Sequence, residues 1–392
     1  MNAQGKGLEQ HEILKVQLMR GEKEQDYLTH IWNLTSMMDH PIIAKEEDQD
    51  EACYRQFYEE AISLCRQKRF HEVLEKCRYT SLDDEEEYSI DVIQPEKIEF
   101  KQNSYEDGEN SIISFPEFLL LVLDVCTGGE QPASHYQPDK LIEKFDALKT
   151  YFTAGEFYEK MLYYRLLLDY YTIRRDIKDG QGNYSLILKG PKDDSDKLKQ
   201  YQSMLYVSTE AFYNWLKPYL RKLEQDELHS CAEMLAFLKK EDNERHSILP
   251  ARKDLSYKAS GNIRYWFWRL DYYLWEQRST FFNEEEQKIV EHYVFRRNRS
   301  IEHLHPQDES HNEEWEEEAV HSFGNLAMIS QSFNSQQSND HIQIKFARIH
   351  EQISNKSLQS IKMFLMCKLA DFNYQNWTMK LAKEHENEMI EF

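Results

Sequence analysis

Apolar residues recur at helical spacing almost from the start of the chain. Ile13, Val16, Tyr27, Ile31, Leu34 and Met38 predict an amphipathic helix or helix pair over residues 8–38. Tyr54, Phe57, Ala61 and Leu64 put one stripe on a helix from about 51 to 69. Residues 79–111 lose this period, turn acidic, and read as a linker or surface insertion. Ser114-Phe-Pro-Glu117 is a capping-box pattern opening the apolar run Phe118 to Val125. Helices are predicted at about 138–153, 156–176, 198–221 and 223–240. Asp179-Gly180-Gln181-Gly182 is a turn signal before a short strand at 184–188. Residues 241–260 are polar and form a candidate boundary. Ser260-Gly261-Asn262 then starts a helix with Ile263, Trp266, Phe267, Leu270 and Leu274 on one face, and Asn283 with Glu286 caps the next.

The region from Arg296 to Lys345 breaks the helical pattern. Ser300 to Leu304 is short and β-compatible, and Pro306 ends it. Gly324 marks a turn, Leu326 to Ile329 reads as a second strand, and polar residues containing Asn334 lead into a helix near His341. Two short strands followed by a helix outline a ββα-metal motif. The predicted fold class is therefore mainly α: a helical N-terminal region over 1–250, suited to docking a partner, followed by an α-rich C-terminal domain over 251–392 that contains this motif.

Composition bounds the function. With 40% apolar and 13% aromatic residues over 392 positions, the chain is globular and can bury a real core. No apolar run approaches the roughly 20 residues of a membrane span, and the polar N-terminus has no apolar signal region. Six dispersed cysteines without a Cys-x-x-Cys pair argue against a disulfide framework and a zinc site of linked cysteines, and the cytoplasm is the expected compartment. The net charge of −22 argues against nonspecific nucleic-acid binding by the chain as a whole. The charge is uneven, however: from Ala319 to Lys380 there are six Lys and Arg against three acids.

Chemistry concentrates in the region from Arg296 to Lys345. Phosphodiester hydrolysis needs a base, and imidazole titrates near the working pH. It also needs a cation to neutralise charge on the phosphate and the leaving oxygen. Mg²⁺ takes oxygen ligands and keeps several waters, so one carboxylate and one amide oxygen suffice as the protein's share. Glu302 and Asn334 can supply those oxygens and His303 the base. On a strand, Glu302 and His303 point to opposite faces, which requires a bend or a substrate wrapped around the strand end.

Glu302-His303-Leu-His-Pro306-Gln307, then Gly324-Asn325-Leu326, then Phe333-Asn334 and Lys345 resemble the nuclease domain of GmrSD-type restriction systems, which belong to the HNH, or His-Me finger, nucleases. The order is correct over about 45 residues, and the nine-residue gap from Asn325 to Asn334 fits HNH domains. Weaker similarity extends upstream through Glu9 to Lys15, Ser114 to Leu120 and Tyr201 to Leu205, so that the resemblance covers most of the chain.

The resemblance implies that His303 is the general base, that Glu302 and Asn334 hold a divalent metal (Mg²⁺ or Mn²⁺), and that Asn325 braces the loop orienting His303. It also implies DNA as substrate, carrying modified cytosines such as glucosylated ones, within a two-gene bacterial phage-defence system. This sequence departs from the family at Leu304-His305, where two aliphatics are usual; His305 is either an accessory ligand or a neighbour. It also lacks the Asp-Gly-Gln-Gln-Arg motif of the family's NTP-hydrolysing sensor domain, and no Walker A pattern is present. A separate NTPase, modification-sensing subunit is therefore expected, and no membrane partner.

Several residues keep two readings. Asn325 beside Gly324 serves either as a turn residue alone or as a brace as well. Arg296, Arg297, Arg299, Lys345 and Arg348 are either solvated charges or DNA phosphate contacts. His311 and His321 read as surface or core groups rather than ligands, and the acidic run Glu313 to Glu318 as a solvated loop or helix. Two other functions fit the same residues: an inactive nuclease-fold assembly protein, and an autonomous nuclease toxin.

Overall fold

A computed structural model describes residues 9–43, 50–78, 108–177, 184–193, 195–208, 210–297, 300–307, 315–329 and 342–392. Residues 79–107 of the linker expected at 79–111, the turn Asp179 to Gly182, Arg299, His311 and Asn334 lie outside these, and the end of that expected linker is instead a strand, Gly108–Asn110. The chain is mainly helical and divides into two compact units. One comprises residues 1–199 and 211–238, the other 200–210 and 239–392.

In the first unit the helix Ala154–Tyr171 is the hub, packed by Gln25–Ser36, Glu51–Arg66, Phe115–Cys126 and Phe212–Glu224. From Met161 to Tyr170 it is buried on every side, as a helix enclosed by others must be. Ser114 and Glu117 form the expected capping box, as do Thr153 and Glu156 on the hub. The strands β1 (Gly108–Asn110), β2 (Arg174–Ile177) and β3 (Tyr184–Ile187) make an antiparallel sheet in that order, with Glu109 opposite Asp176 and Asp176 opposite Ser185. A fully buried carboxylate joins sheet and hub. Asp169 accepts from Arg165 Nε at 3.0 Å, from Arg174 Nη1, and from the backbone N–H of Ile42 at 2.6 Å. Arg165 also donates to the carbonyls of Thr35 (2.8 Å), Met37 (2.9 Å) and His40. Each ion is thus matched by an opposite charge or a carbonyl, which a buried charge requires.

The helix expected over 198–221 is two helices, Ser195–Val207 and Phe212–Glu224. At the break the Ser208 hydroxyl donates back to the Leu205 carbonyl at 3.0 Å, a side-chain bond that competes with helix continuation. The helix expected over 156–176 ends at Tyr171, because Arg174 enters the sheet. The helix expected over 223–240 runs from Cys231 to Arg245.

In the second unit, buried Asp242 gathers the hydroxyls of Tyr201 (2.7 Å) and Tyr265 (2.8 Å) and the Arg269 guanidinium (2.9 Å). This binds residues 200–210 and the Cys231–Arg245 segment to the helix Ile263–Glu276. Against that helix and Ile361–Leu369 lies an antiparallel hairpin of β4 (Ser300–His303) and β5 (Leu326–Ile329). Its register pairs Glu302 with Ala327 and His303 with Leu326. Every residue of β5 is buried, so the strand reads as a continuous apolar run rather than an alternation. All six cysteines are free. Among the described residues no helix is long and apolar enough to cross a membrane.

Candidate functional site

The expected strand pair is present, and it brings Glu302, His303, His305 and Asn325 to one end of the hairpin. Just before β5, Phe323–Asn325 forms a 3-10 turn against the helix Met379–Glu391. Gly324 is required there: a Cβ would lie 2.1 Å from the Ala382 carbonyl oxygen. Lys362 fixes both flanks of the turn. Its buried ammonium donates to the Phe323 carbonyl (2.8 Å) and the Leu326 carbonyl (2.7 Å).

Asn325, between those carbonyls, is fully buried and its amide is saturated. Oδ1 accepts from the His305 N–H (2.8 Å) and from Trp377 Nε1 (3.1 Å). Nδ2 donates to the carbonyls of His305 (3.0 Å) and Val320 (2.9 Å). The Asn325 backbone carbonyl also accepts from the Leu304 N–H at 2.9 Å. Asn325 therefore clamps the chain two residues beyond His303. His305 points away from this clamp and lies flat on Trp315, ring centroids 4.1 Å apart and planes 4° from parallel.

Glu302 and His303 meet different neighbours, as strand alternation demands. Glu302, 4% exposed, forms an ion pair with Lys345 on the first turn of the helix Ile342–Ser354. Lys345 Nζ also donates to the His303 carbonyl at 2.5 Å. Lys345 is itself only 4% exposed, so this structure places it on the carboxylate and not at the surface. His303, 5% exposed, is held on both ring nitrogens. Gln307 Nε2 donates to Nδ1 at 3.0 Å, and Nε2 faces His321 Nδ1 at 3.1 Å. The Tyr257 ring stands edge-on to it at 4.6 Å and stacks over His321 at 5.7 Å. Burial, then the nearby His321 and Lys345, push His303 down to about 3, so its imidazole is neutral at working pH.

His321, which the sequence pattern places at the surface or in the core, is buried and touches His303. Tyr257, Trp315, Lys362 and Trp377 carry no local signal in the sequence. Arg296 and Arg297 are exposed in the extended segment before β4, and Arg297 lies over the Tyr206 ring at 4.5 Å. Arg348 is half-buried one turn beyond Lys345. Glu316, Glu317 and Glu318 are exposed, as expected of a solvated acidic run.

Among the described residues no three His, Cys, Asp or Glu side chains converge as a metal cage. Glu302 is a buried oxygen donor of the kind a hard cation takes, and here the Lys345 ammonium supplies the positive charge on it.

Residues 239–392 match the family model of the C-terminal domain of the GmrSD restriction endonucleases. The match begins at Lys239, where the longer segment of the second unit also begins. No curated protein and no solved structure matches the chain.

Proposed function

We propose that this chain is a metal-dependent DNA endonuclease of the HNH type, a reading supported by the match of residues 239–392 to the GmrSD C-terminal domain. It would act as one subunit of a bacterial anti-phage restriction system, with a separate NTPase sensor and modified foreign DNA as substrate. The observation that carries the reading is the hairpin end. Neutral His303 follows Glu302 directly, and Asn325 clamps the backbone just beyond them.

His303 is the base. The shorter Gln307 contact, at 3.0 Å to Nδ1 against 3.3 Å to Nε2, favours the tautomer with the lone pair on Nδ1 and the hydrogen on Nε2 toward His321. A water that replaces the Gln307 amide meets an acceptor already oriented from its far side. Burial keeps the imidazole unprotonated and also weakens it as a base, so proton transfer to it requires that bound substrate and cation restore its basicity. Glu302, with Asn334, would hold the divalent cation. When bound, that cation neutralises charge on the phosphate and the departing 3′-oxygen. Asn325 keeps His303 in register through the His305 backbone. Arg296, Arg297 and Arg348, with Arg299, are assigned to DNA phosphates near the site.

The test uses purified full-length chain, modified and unmodified DNA, and Mg²⁺ or Mn²⁺, with and without the sensor subunit. Cleavage of modified DNA that needs the sensor and vanishes in His303→Ala is expected. No cleavage under any condition, or cleavage unchanged in His303→Ala, refutes the proposal. Cleavage of plain DNA by the chain alone points instead to an autonomous toxin.

A further inference from the structure

We propose that Lys345 is a resident counter-ion that competes with the divalent cation for the Glu302 carboxylate, so that metal loading is coupled to DNA binding. This deepens the metal-site reading above and rests on it.

Among the described residues Lys345 reaches two neighbouring groups, the Glu302 carboxylate and the His303 carbonyl. A carboxylate this deeply buried needs a compensating charge. Lys345 supplies it from a different element, the Ile342–Ser354 helix. A cation binding the same carboxylate would stand within a few ångströms of the ammonium, where like-charge repulsion in a buried site is strong. Both therefore cannot hold Glu302 at full strength. A lysine differs from the fixed donors around His303 in one respect: its charge rides on a flexible four-carbon stem and can withdraw. A DNA phosphate arriving at the hairpin end offers the ammonium an alternative partner. Glu302 is then released to the metal when substrate is in place. The free protein would load metal poorly and remain inactive toward chance encounters.

The assay is Mn²⁺ binding to the full-length chain, followed by electron paramagnetic resonance and calorimetry. Wild type, Lys345→Met, Lys345→Gln and Glu302→Gln are compared, each with and without a phosphorothioate duplex that resists cleavage. Lys345→Gln retains a hydrogen bond to the His303 carbonyl without the charge and guards against misfolding of the methionine variant; melting curves check both. Without DNA, at least roughly tenfold tighter Mn²⁺ binding is expected in both lysine variants than in wild type. The duplex should tighten wild-type binding and leave the lysine variants nearly unchanged. Glu302-dependent binding that is equal or weaker in the folded lysine variants overturns the competition. Absence of any Glu302-dependent binding, with or without DNA, overturns the metal-site reading itself and the competition with it.

Discussion

Asn325→Ala removes the amide on which the hairpin end depends, and its cost follows from the bonds. Four groups lose the partner this amide provides: the His305 N–H, Trp377 Nε1, and the carbonyls of His305 and Val320. The position is fully buried, so bulk water does not replace them. Each group left unsatisfied costs about 1–3 kcal/mol, while a hydrogen bond replaced by an ordered water costs much less. The vacated space is about that of one water, which can rescue two or three of the four. The expected loss is therefore about 3–5 kcal/mol, a large part of the roughly 5–15 kcal/mol that a domain possesses. For a unit of this size that is a fall of about 6–20 °C in the melting temperature of the second unit. Differential scanning calorimetry reads it directly. Asn325→Asp separates the amide's two halves. It keeps both acceptor roles but turns an oxyanion toward two carbonyls, so it should be at least as destabilising as alanine at neutral pH. Below the carboxyl's titration range one donor returns, and part of the loss should be recovered. If Asn325→Ala melts within about 2 °C of wild type, the clamp argument is wrong. Activity measured at 20 °C, where the variant is still folded, should fall with the loss of His303 register.

Other perturbations follow from neighbouring geometry. Gly324→Ala would drive a methyl to 2.1 Å from the Ala382 carbonyl oxygen and 2.9 Å from Glu386 Cβ. The helix Met379–Glu391 must shift, at about 1–3 kcal/mol or more, and an unchanged melting temperature would contradict that close approach. Asp271 accepts from the Lys362 N–H, Ser360 and Tyr293, yet burial pushes its carboxyl up to about 7. A folded-state value raised above an unfolded value of about 4 means that the native state binds the extra proton. Stability from this group should decline as pH rises from about 4 through about 7, by up to about 4 kcal/mol, and denaturant titrations of Asp271→Asn should lack that component. Arg296→Ala and Arg297→Ala should each lower the slope of log affinity against log salt for DNA by about 1 and weaken binding evenly across sequences; an unchanged slope removes them from the interface.

Much of the site is legible in the sequence because it is local. The β4 pattern, Pro306, Gly324 and the apolar run of β5 announce a hairpin, and Glu302, His303 and Asn325 sit on it at fixed offsets. What is illegible comes from far along the chain. His321 reaches His303 across 18 positions, and Trp377 reaches Asn325 across 52. No periodicity of either residue's own segment encodes the meeting. Lys345 was legible as a cation near the site; its destination, a buried carboxylate rather than solvent, depends on how the Ile342–Ser354 helix docks. The helical character of the first unit follows from its apolar stripes. The interruption near Ser208 does not, because no glycine or proline marks it; the Ser208 hydroxyl bonds back to the Leu205 carbonyl there.

The shared carboxylate of Asp169 has a consequence for how the chain is made. The segment at residues 35–42 is bound by Arg165 and Asp169, and Arg174 completes the cluster, some 130 positions later in the chain. At a translation rate of about 5–20 residues per second, the interval is on the order of ten seconds. Throughout it the carbonyls of Thr35, Met37 and His40 lack the Arg165 guanidinium that donates to them, and the Ile42 N–H lacks its Asp169 acceptor. The cluster is complete only once Arg174 has been made.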